Sequence, residues 1–531
     1  MSRPSEQDKQ TPGHAQGDIP WRVDRNPAPP SRDVLDRVDG RVLDPATALT
    51  IAGVVPRPTV YVGPRLVMSA SRDEDDVLAL LREVASSLGW EITVDRAFPR
   101  SRVRRRDEGA APLGVTRLLL SVQSDKATVA PDGWVLLQQA RAQFGIEALR
   151  GVGLDHVLAI NPVEHSNPVE HSNPVEHSNP LAWSMVGSYA WPGSGGRQPV
   201  AFVGPAPYRR PDSEIKGRRP VVAVLDTGCG KHPWLDGIVK RNVKLGSQVI
   251  GHSDPQTNPE IGGDLVGPLD GGLDPLSGHG TFIAGIIRQS CPDADIISWR
   301  VVASNGPIIE SDWVDAITKI AELVRRHYDG EKGGRPIDVL NLSMGYYHET
   351  PEDHLFDETL FDVLDVMSAC GTVVVCAAGN DATARPQYPA AFAPWKGGGG
   401  ATPLAGRVPI VSVGALNPNG TVALFSNTGP WVRSYAQGAS VLSTIPQFQG
   451  GLEPGARTRA YGHTRESIDP DSFVSGYALW SGTSFAAPQM AGRIATALLG
   501  KLPAGDTVPS KARAVKRGVK AVAATPEGTA S

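Results

Sequence analysis

Apolar residues along this chain fall into two rhythms, separated by a long polar stretch. In the first, residues 65–68 read as a strand. Residues 75–88 then carry Val77, Leu78, Leu81, Val84, Ala85 and Leu88, the stripe of an amphipathic helix ended by Gly89. A strand over 90–94 follows. The order repeats with a strand near 117–122, a helix near 132–144 closed by Gly145, and a strand near 156–160. Two βαβ cycles in about a hundred residues predict a small α+β, ferredoxin-like domain of four strands and two helices over 57–160. From Pro220 the rhythm changes. Residues 221–225 are apolar throughout, the mark of a parallel strand covered on both faces. Residues 337–342, 372–376 and 409–413 are similar runs, with helical stretches over 312–326 and 353–370 between them. This alternation predicts an α/β domain, a parallel sheet with helices on both faces, over 219–503.

The remaining segments lack either period. Residues 1–56 are rich in Pro, Arg and Asp, which predicts a disordered leader. Between the two βαβ cycles, residues 100–106 hold five arginines in seven positions. Such a run is expected to be a solvated loop, with a self-processing site or a docking patch as sharper readings. Further on, Asn161-Pro162-Val163-Glu164-His165-Ser166 recurs at 167–172 and 173–178 and restarts as Asn179-Pro180. A proline every sixth residue favours an extended chain that reaches roughly 55 Å over the three repeats. Residues 161–218 therefore read as a linker, whose Glu and His residues serve a spacer rather than a metal. Residues 504–531 are expected to form a basic, partly helical tail.

Composition narrows the classes. A chain of 531 residues exceeds one typical domain, and 40% apolar with 20% charged residues is ordinary soluble composition. A formal charge of −4 supplies no reason to expect nucleic acid or a membrane surface as partner. Residues 1–21 lack the apolar core of a secretory signal, and no apolar run approaches the roughly 18 residues that span a bilayer. The four cysteines, Cys229, Cys291, Cys370 and Cys376, form no CxxC pair. Cys376 sits in an apolar run and reads as a buried thiol, while a disulfide between two of the four stays open. These features predict a cytoplasmic protein without cofactor or metal.

Three segments of the α/β region carry candidate chemistry. Asp226 stands directly after a buried strand in Leu225-Asp226-Thr227-Gly228. His279 opens a helix in Gly278-His279-Gly280-Thr281. Ser484 opens another in Ser481-Gly482-Thr483-Ser484-Phe485-Ala486-Ala487-Pro488. A hydroxyl is a poor nucleophile until an imidazole removes its proton, and a carboxylate must hold that imidazole in the right tautomer. Each segment alone has a plainer explanation: a loop acid, a structural histidine, a helix N-cap. Asp-Thr-Gly also occurs in aspartic proteases, but a single copy supplies no paired carboxylate. The order Asp, His, Ser is the order of one class of serine triad.

On these motifs residues 219–500 resemble the catalytic domain of the subtilases, the subtilisin-like serine proteases. The resemblance implies a serine endopeptidase acting on a peptide or protein substrate through an acyl-enzyme, with Asp226, His279 and Ser484 as its catalytic residues. It implies that Asn380, in Ala377-Ala378-Gly379-Asn380, donates to the developing oxyanion beside the backbone amide of Ser484. Asn341-Leu342-Ser343-Met344-Gly345 resembles the strand that pairs with the substrate backbone, so Ser343, Met344 and Gly345 are the expected substrate-binding residues. Subtilase propeptides are ferredoxin-like and occupy the cleft. The 57–160 domain is therefore expected to act as an intramolecular inhibitor, with Asp155-His156-Val157 similar to the propeptide's last strand.

Two departures qualify the resemblance. Residues 286–292 turn directly toward the next strand where many subtilases carry a calcium-binding loop, so calcium is not carried over. An insertion containing residues 457–471 is expected to loop beside the nucleophile. Other readings also stand. A sedolisin would share the Ser-Gly-Thr-Ser element but use a Glu in place of His279. A silent peptide-binding regulator would keep the fold and lose catalysis. A processing protease would act on itself or on one dedicated partner.

Overall fold

The computed structural model describes residues 26–27, 29–51, 56–104, 111–158, 195–267, 269–304, 306–350, 359–395, 405–449, 454–505 and 510–525. The NPVEHS repeats and Arg105-Arg106 lie outside these residues.

The N-terminal region runs α1 (Arg32–Asp36), β1 (Gly40–Leu43), β2 (Thr59–Ser69), α2 (Glu74–Ser87), β3 (Trp90–Val94), β4 (Val115–Val122), α3 (Gly133–Phe144) and β5 (Val152–Leu158). Its antiparallel sheet has the order β5-β2-β4-β3, which is the split βαβ arrangement that the two cycles predicted. Asp73 caps α2 by accepting from Asp75 N and Asp76 N, and Asp132 caps α3 by accepting from Val135 N. The leader expected over 1–56 is not wholly irregular. Within it, β1 pairs with β2, Leu43 enters the core, and Arg41 is ion-paired with Asp132. One short strand with a single buried side chain leaves no period to detect.

After β6 (Gln198–Pro199), the second region contains β7 (Val221–Asp226), β8 (Val239–Arg241), α4 (His279–Ser290), β9 (Asp295–Arg300), β10 (Ile308–Ile309), α5 (Glu310–Asp329), β11 (Val339–Leu342), α6 (Thr359–Ser368), β12 (Val373–Ala377), β13 (Val411–Leu416), β14 (Ser434–Gln437), β15 (Val441–Thr444), β16 (Arg457–Ala460), β17 (His463–Glu466), β18 (Tyr477–Trp480), α7 (Thr483–Leu498) and α8 (Lys511–Ala524). Seven strands form one parallel sheet in the order β14-β13-β12-β11-β7-β9-β8. One core lies between the sheet and α5 and α6, and a second lies on the α4 and α7 side. Strand order reverses between β7 and β11, and the ends of strands at such a reversal open a crevice.

The partly helical tail packs on the core, and two other local expectations need correction. The tail beyond residue 503 includes α8, which buries Ala514, Val515 and Ala521 and pairs Lys511 with Asp329 at 2.5 Å. The insertion over 457–471 contains the antiparallel hairpin β16–β17 rather than a plain loop. Arg100 and Arg102 are half-buried and both donate to Thr116, while Val103 between them is fully buried and pairs with Leu113. The four cysteines are buried and unpaired with one another. Among the described residues no helix is long and apolar enough to cross a membrane.

The two regions share structure. β10 joins β5 antiparallel, Ile308 opposite Leu158 and Ile309 opposite Val157. Phe98, Val103, Leu113, Val115 and Leu158 belong to the same apolar cluster as Trp313 and Ile317 of α5. The first turn of α5 has no capping side chain of its own, because its N-cap is Ile309. Asp155 supplies the cap from the other region, accepting from Ser311 N and Ser311 Oγ at 2.9 Å each. Arg117 donates to the same hydroxyl and pairs with Asp312 at 2.7 Å.

Candidate active site

Asp226 is the last residue of β7, and Oδ1 of its carboxylate lies 2.7 Å from Nδ1 of His279, the first residue of α4. Both side chains are closed to solvent. Oδ1 also accepts the backbone N–H of Thr227 at 2.7 Å. The glycines of the histidine motif have separate reasons to be there. Gly278 takes φ +84°, and a Cβ on it would lie 2.5 Å from Ile445; a Cβ on Gly280 would lie 2.0 Å from the carbonyl oxygen of Gly228. Gly280 therefore lets the start of α4 press against the segment after β7, and Gly278 lets it press against the chain after β15. His279 is then flanked by the rings of Phe485 and Trp480, with centroids at 5.3 and 5.7 Å. Its Nε2 is buried without a hydrogen-bond partner.

Ser484 lies in the first turn of α7, and its hydroxyl donates to the carbonyl of Ser343 at 3.1 Å. The converse bond also forms, Ser343 Oγ donating to the carbonyl of Ser484 at 3.0 Å. Pro488 explains why that carbonyl is available. It sits four residues on, inside α7, and has no N–H to donate back. Ser343 thus completes the helix ladder at the residue that carries the hydroxyl.

Asn380 follows β12. Its Oδ1 accepts both the N–H and the Oγ1–H of Thr483 at 2.8 Å. With the carbonyl end committed to α7, the other end of the side chain is an amide that can only donate. The structure therefore gathers Asp226, His279, Asn380 and Ser484 around the strand ends of β7, β11 and β12 and the starts of α4 and α7. Of the residues expected to bind substrate, Ser343 faces α7, and Met344 is buried in the core with Leu342 and Tyr346. Gly345 backs against Tyr388, whose carbonyl would lie 2.6 Å from a Cβ there.

Glu260 was not anticipated. Its carboxylate is buried, accepts from Thr227 Oγ1 at 2.5 Å and from Gly280 N at 2.9 Å, and is hydrogen-bonded to Thr281 Oγ1. It caps α4 and ties the aspartate segment to the histidine helix. Burial pushes its carboxyl above the ordinary range, against the bonds from Thr227 and Thr281. Its loop has no period, and the only sequence signal was the threonine after each of the first two motifs.

The profile of the subtilase family matches residues 217–521. The chain is 27% identical over 298 residues to the intracellular serine protease of Paenibacillus polymyxa, covering 53% of this chain and 68% of that protein. It is 29% identical over 284 residues to the thermophilic serine proteinase of Bacillus sp. (strain AK1), covering 51% and 50%. It is 25% identical over 265 residues to the major intracellular serine protease of Bacillus subtilis (strain 168), covering 46% and 66%. The chain thus spans between half and about two thirds of the length of these relatives. Fervidolysin from Fervidobacterium pennivorans, a keratinolytic enzyme related to subtilisin, aligns over 85% of this chain and 56% of its own, with 19% identity and a TM-score of 0.40.

Proposed function

The chain belongs to the subtilase family of serine peptidases, and from that premise we propose that it is an endopeptidase that cleaves peptide bonds through an acyl-enzyme on Ser484. The observation that carries this reading is the buried Asp226–His279 contact with Nε2 of the imidazole left unpartnered. Asp226 holds Nδ1–H, so Nε2 is the basic nitrogen. A turn of the Ser484 side chain away from the Ser343 carbonyl brings its hydroxyl to that nitrogen. His279 then takes the proton as Oγ attacks the scissile carbonyl, and returns it to the leaving amine. The amide of Asn380 and the backbone N–H of Ser484 stabilise the oxyanion that forms. An extended substrate pairs along Ser343, Met344 and Gly345 through main-chain groups, with side-chain burial at Met344 leaving the backbone as the contact.

Labelling with a fluorophosphonate probe tests this. The full chain is expected to be labelled and Ser484→Ala to be silent, with casein cleaved only by the former. A parent chain that takes no label and leaves casein intact would make it a peptide-binding regulator. Labelling without casein cleavage would favour a protease restricted to itself or one partner.

A second reading concerns restraint. His279 and Ser484 are 0% and 2% exposed, and the N-terminal region shares a sheet, a helix cap and a core with α5. These features support a resting form in which the N-terminal region inhibits the peptidase and assists its folding. Full-length chain is then expected to be less active than residues 215–531, and to refold in higher yield. Equal activity and equal refolding would reject the idea.

A further inference from the structure

The seam between the two regions holds a cluster that peptide hydrolysis leaves unused. His156 lies on β5, and His348 and Glu349 lie on the chain that leaves β11 past Tyr346. They are 2%, 4% and 0% exposed. One donor atom from each falls within 4.8 Å of the others. Nε2 of His156 is 2.8 Å from Oε2 of Glu349. Nδ1 of His348 is 3.4 Å from the same oxygen and accepts the N–H of Thr350 at 3.1 Å, leaving Nε2 as the nitrogen that His348 can offer a cation.

Two further observations point to a ligand at their centre. The other ring nitrogen of His156, Nδ1, is 2.6 Å from Oε2 of Glu310, the first residue of α5. A carboxylate on one imidazole nitrogen fixes the tautomer and aims the lone pair of the other, which is the outer support that metal-bound histidines ordinarily have. Tyr346 stacks on the same ring, with centroids 4.7 Å apart, and holds its plane. In addition, Oε1 of Glu349 is buried and has no hydrogen-bond partner. Arg141 of α3 is a neighbouring fixed cation, yet its Nε and Nη1 make no hydrogen bond. A buried carboxylate oxygen without a donor is costly, and a cation bound by Glu349 would remove that cost.

We propose that His156, His348 and Glu349 bind one divalent cation of the zinc class, which fastens the N-terminal region to the peptidase. Two imidazole nitrogens select zinc over calcium or magnesium, which prefer oxygen donors. The second oxygen of Glu349 can fill the fourth position, and complete burial makes the site structural. No sequence spacing discloses it, because His156 and Glu349 are 193 positions apart.

The test uses the full chain carrying Ser484→Ala, to prevent self-digestion, and no polyhistidine tag. After treatment with a chelator and addition of zinc, one equivalent is expected to survive gel filtration, measured by atomic emission. Cobalt in its place is expected to give the visible absorption of a four-coordinate nitrogen–oxygen site. His348→Ala is expected to abolish both signals, and Glu310→Gln to weaken zinc binding about 10–100-fold. Replacing His165, His171 and His177 of the repeats by Ala is expected to leave both signals intact. A stripped chain that takes up neither metal, or zinc uptake lost only in the repeat variant, would overturn the proposal. The cluster would then be an imidazolium bridging two carboxylates. The cobalt spectrum of the parent decides the matter even where a variant fails to fold.

Discussion

Asn380 accepts from Thr483 through its carbonyl, and under the proposed mechanism its amide donates to the oxyanion, so its loss is expected to remove one such donor. Asn380→Ala should lower kcat by about 10²–10³ with KM nearly unchanged, as read by steady-state hydrolysis of a chromogenic peptide. A rise confined to KM would instead make Asn380 a binding residue. Asp274, in the loop before His279, behaves differently. Burial, joined by the nearby Asp264, pushes its carboxyl up to about 6, against the bond from Leu265 N. Its folded pKa thus lies above the unfolded value of about 3.9. The stability it contributes is present below that value and is lost as pH rises through about 6. Melting temperatures of Ser484→Ala from pH 4 to 7.5 should fall more steeply than those of the same chain carrying Asp274→Asn. Parallel curves would place the titration elsewhere. At this scale the legible residues were those inside motifs. Asp226, His279 and Ser484 each sit where a strand ends or a helix begins, and that local setting was readable. Glu260 was not, because its value lies in receiving groups from Thr227, Gly280 and Thr281, which only the folded chain brings together.

Among the elements, α7 and the inner parallel strands were the easiest to read. Their apolar runs are continuous because both faces are covered, as in β7 and β12, where every residue is buried. The short strands β1, β8 and β10 escaped detection, since two to four residues cannot establish a period. The segment holding α8 was read as a basic, partly helical tail because lysines and arginines line its outer side. Its inner side packs so closely on Gly371 that a Cβ there would lie 2.7 Å from the Ala514 methyl. Ala514→Leu is therefore expected to destabilise the fold by about 1–3 kcal/mol through overpacking, measured by urea unfolding in the Ser484→Ala background. An unchanged midpoint would mean that α8 is dispensable to the core.

At the scale of the whole molecule, the two rhythms predicted two regions and said nothing of how they join. The joint is made of single residues reaching across, and those carry no periodic signal. Arg117 is the centre of one such contact, buried beneath Phe98 with its guanidinium on Ser311 and Asp312. Arg117→Ala leaves the buried Asp155 with less compensation and should cost about 3–5 kcal/mol. If the regions unfold together, one transition will shift; two separated transitions would show that the seam is weak. The pairing of β10 with β5 has a further consequence. Detached from the peptidase, the N-terminal region would present β5 as an open edge, next to the apolar surface of Phe98, Val103, Leu113 and Val115. An unprotected edge of this kind is a template for pairing with other chains. The freed piece is thus expected to aggregate, because Ile308 and Ile309 and the α5 side chains that cover this edge and surface would be gone.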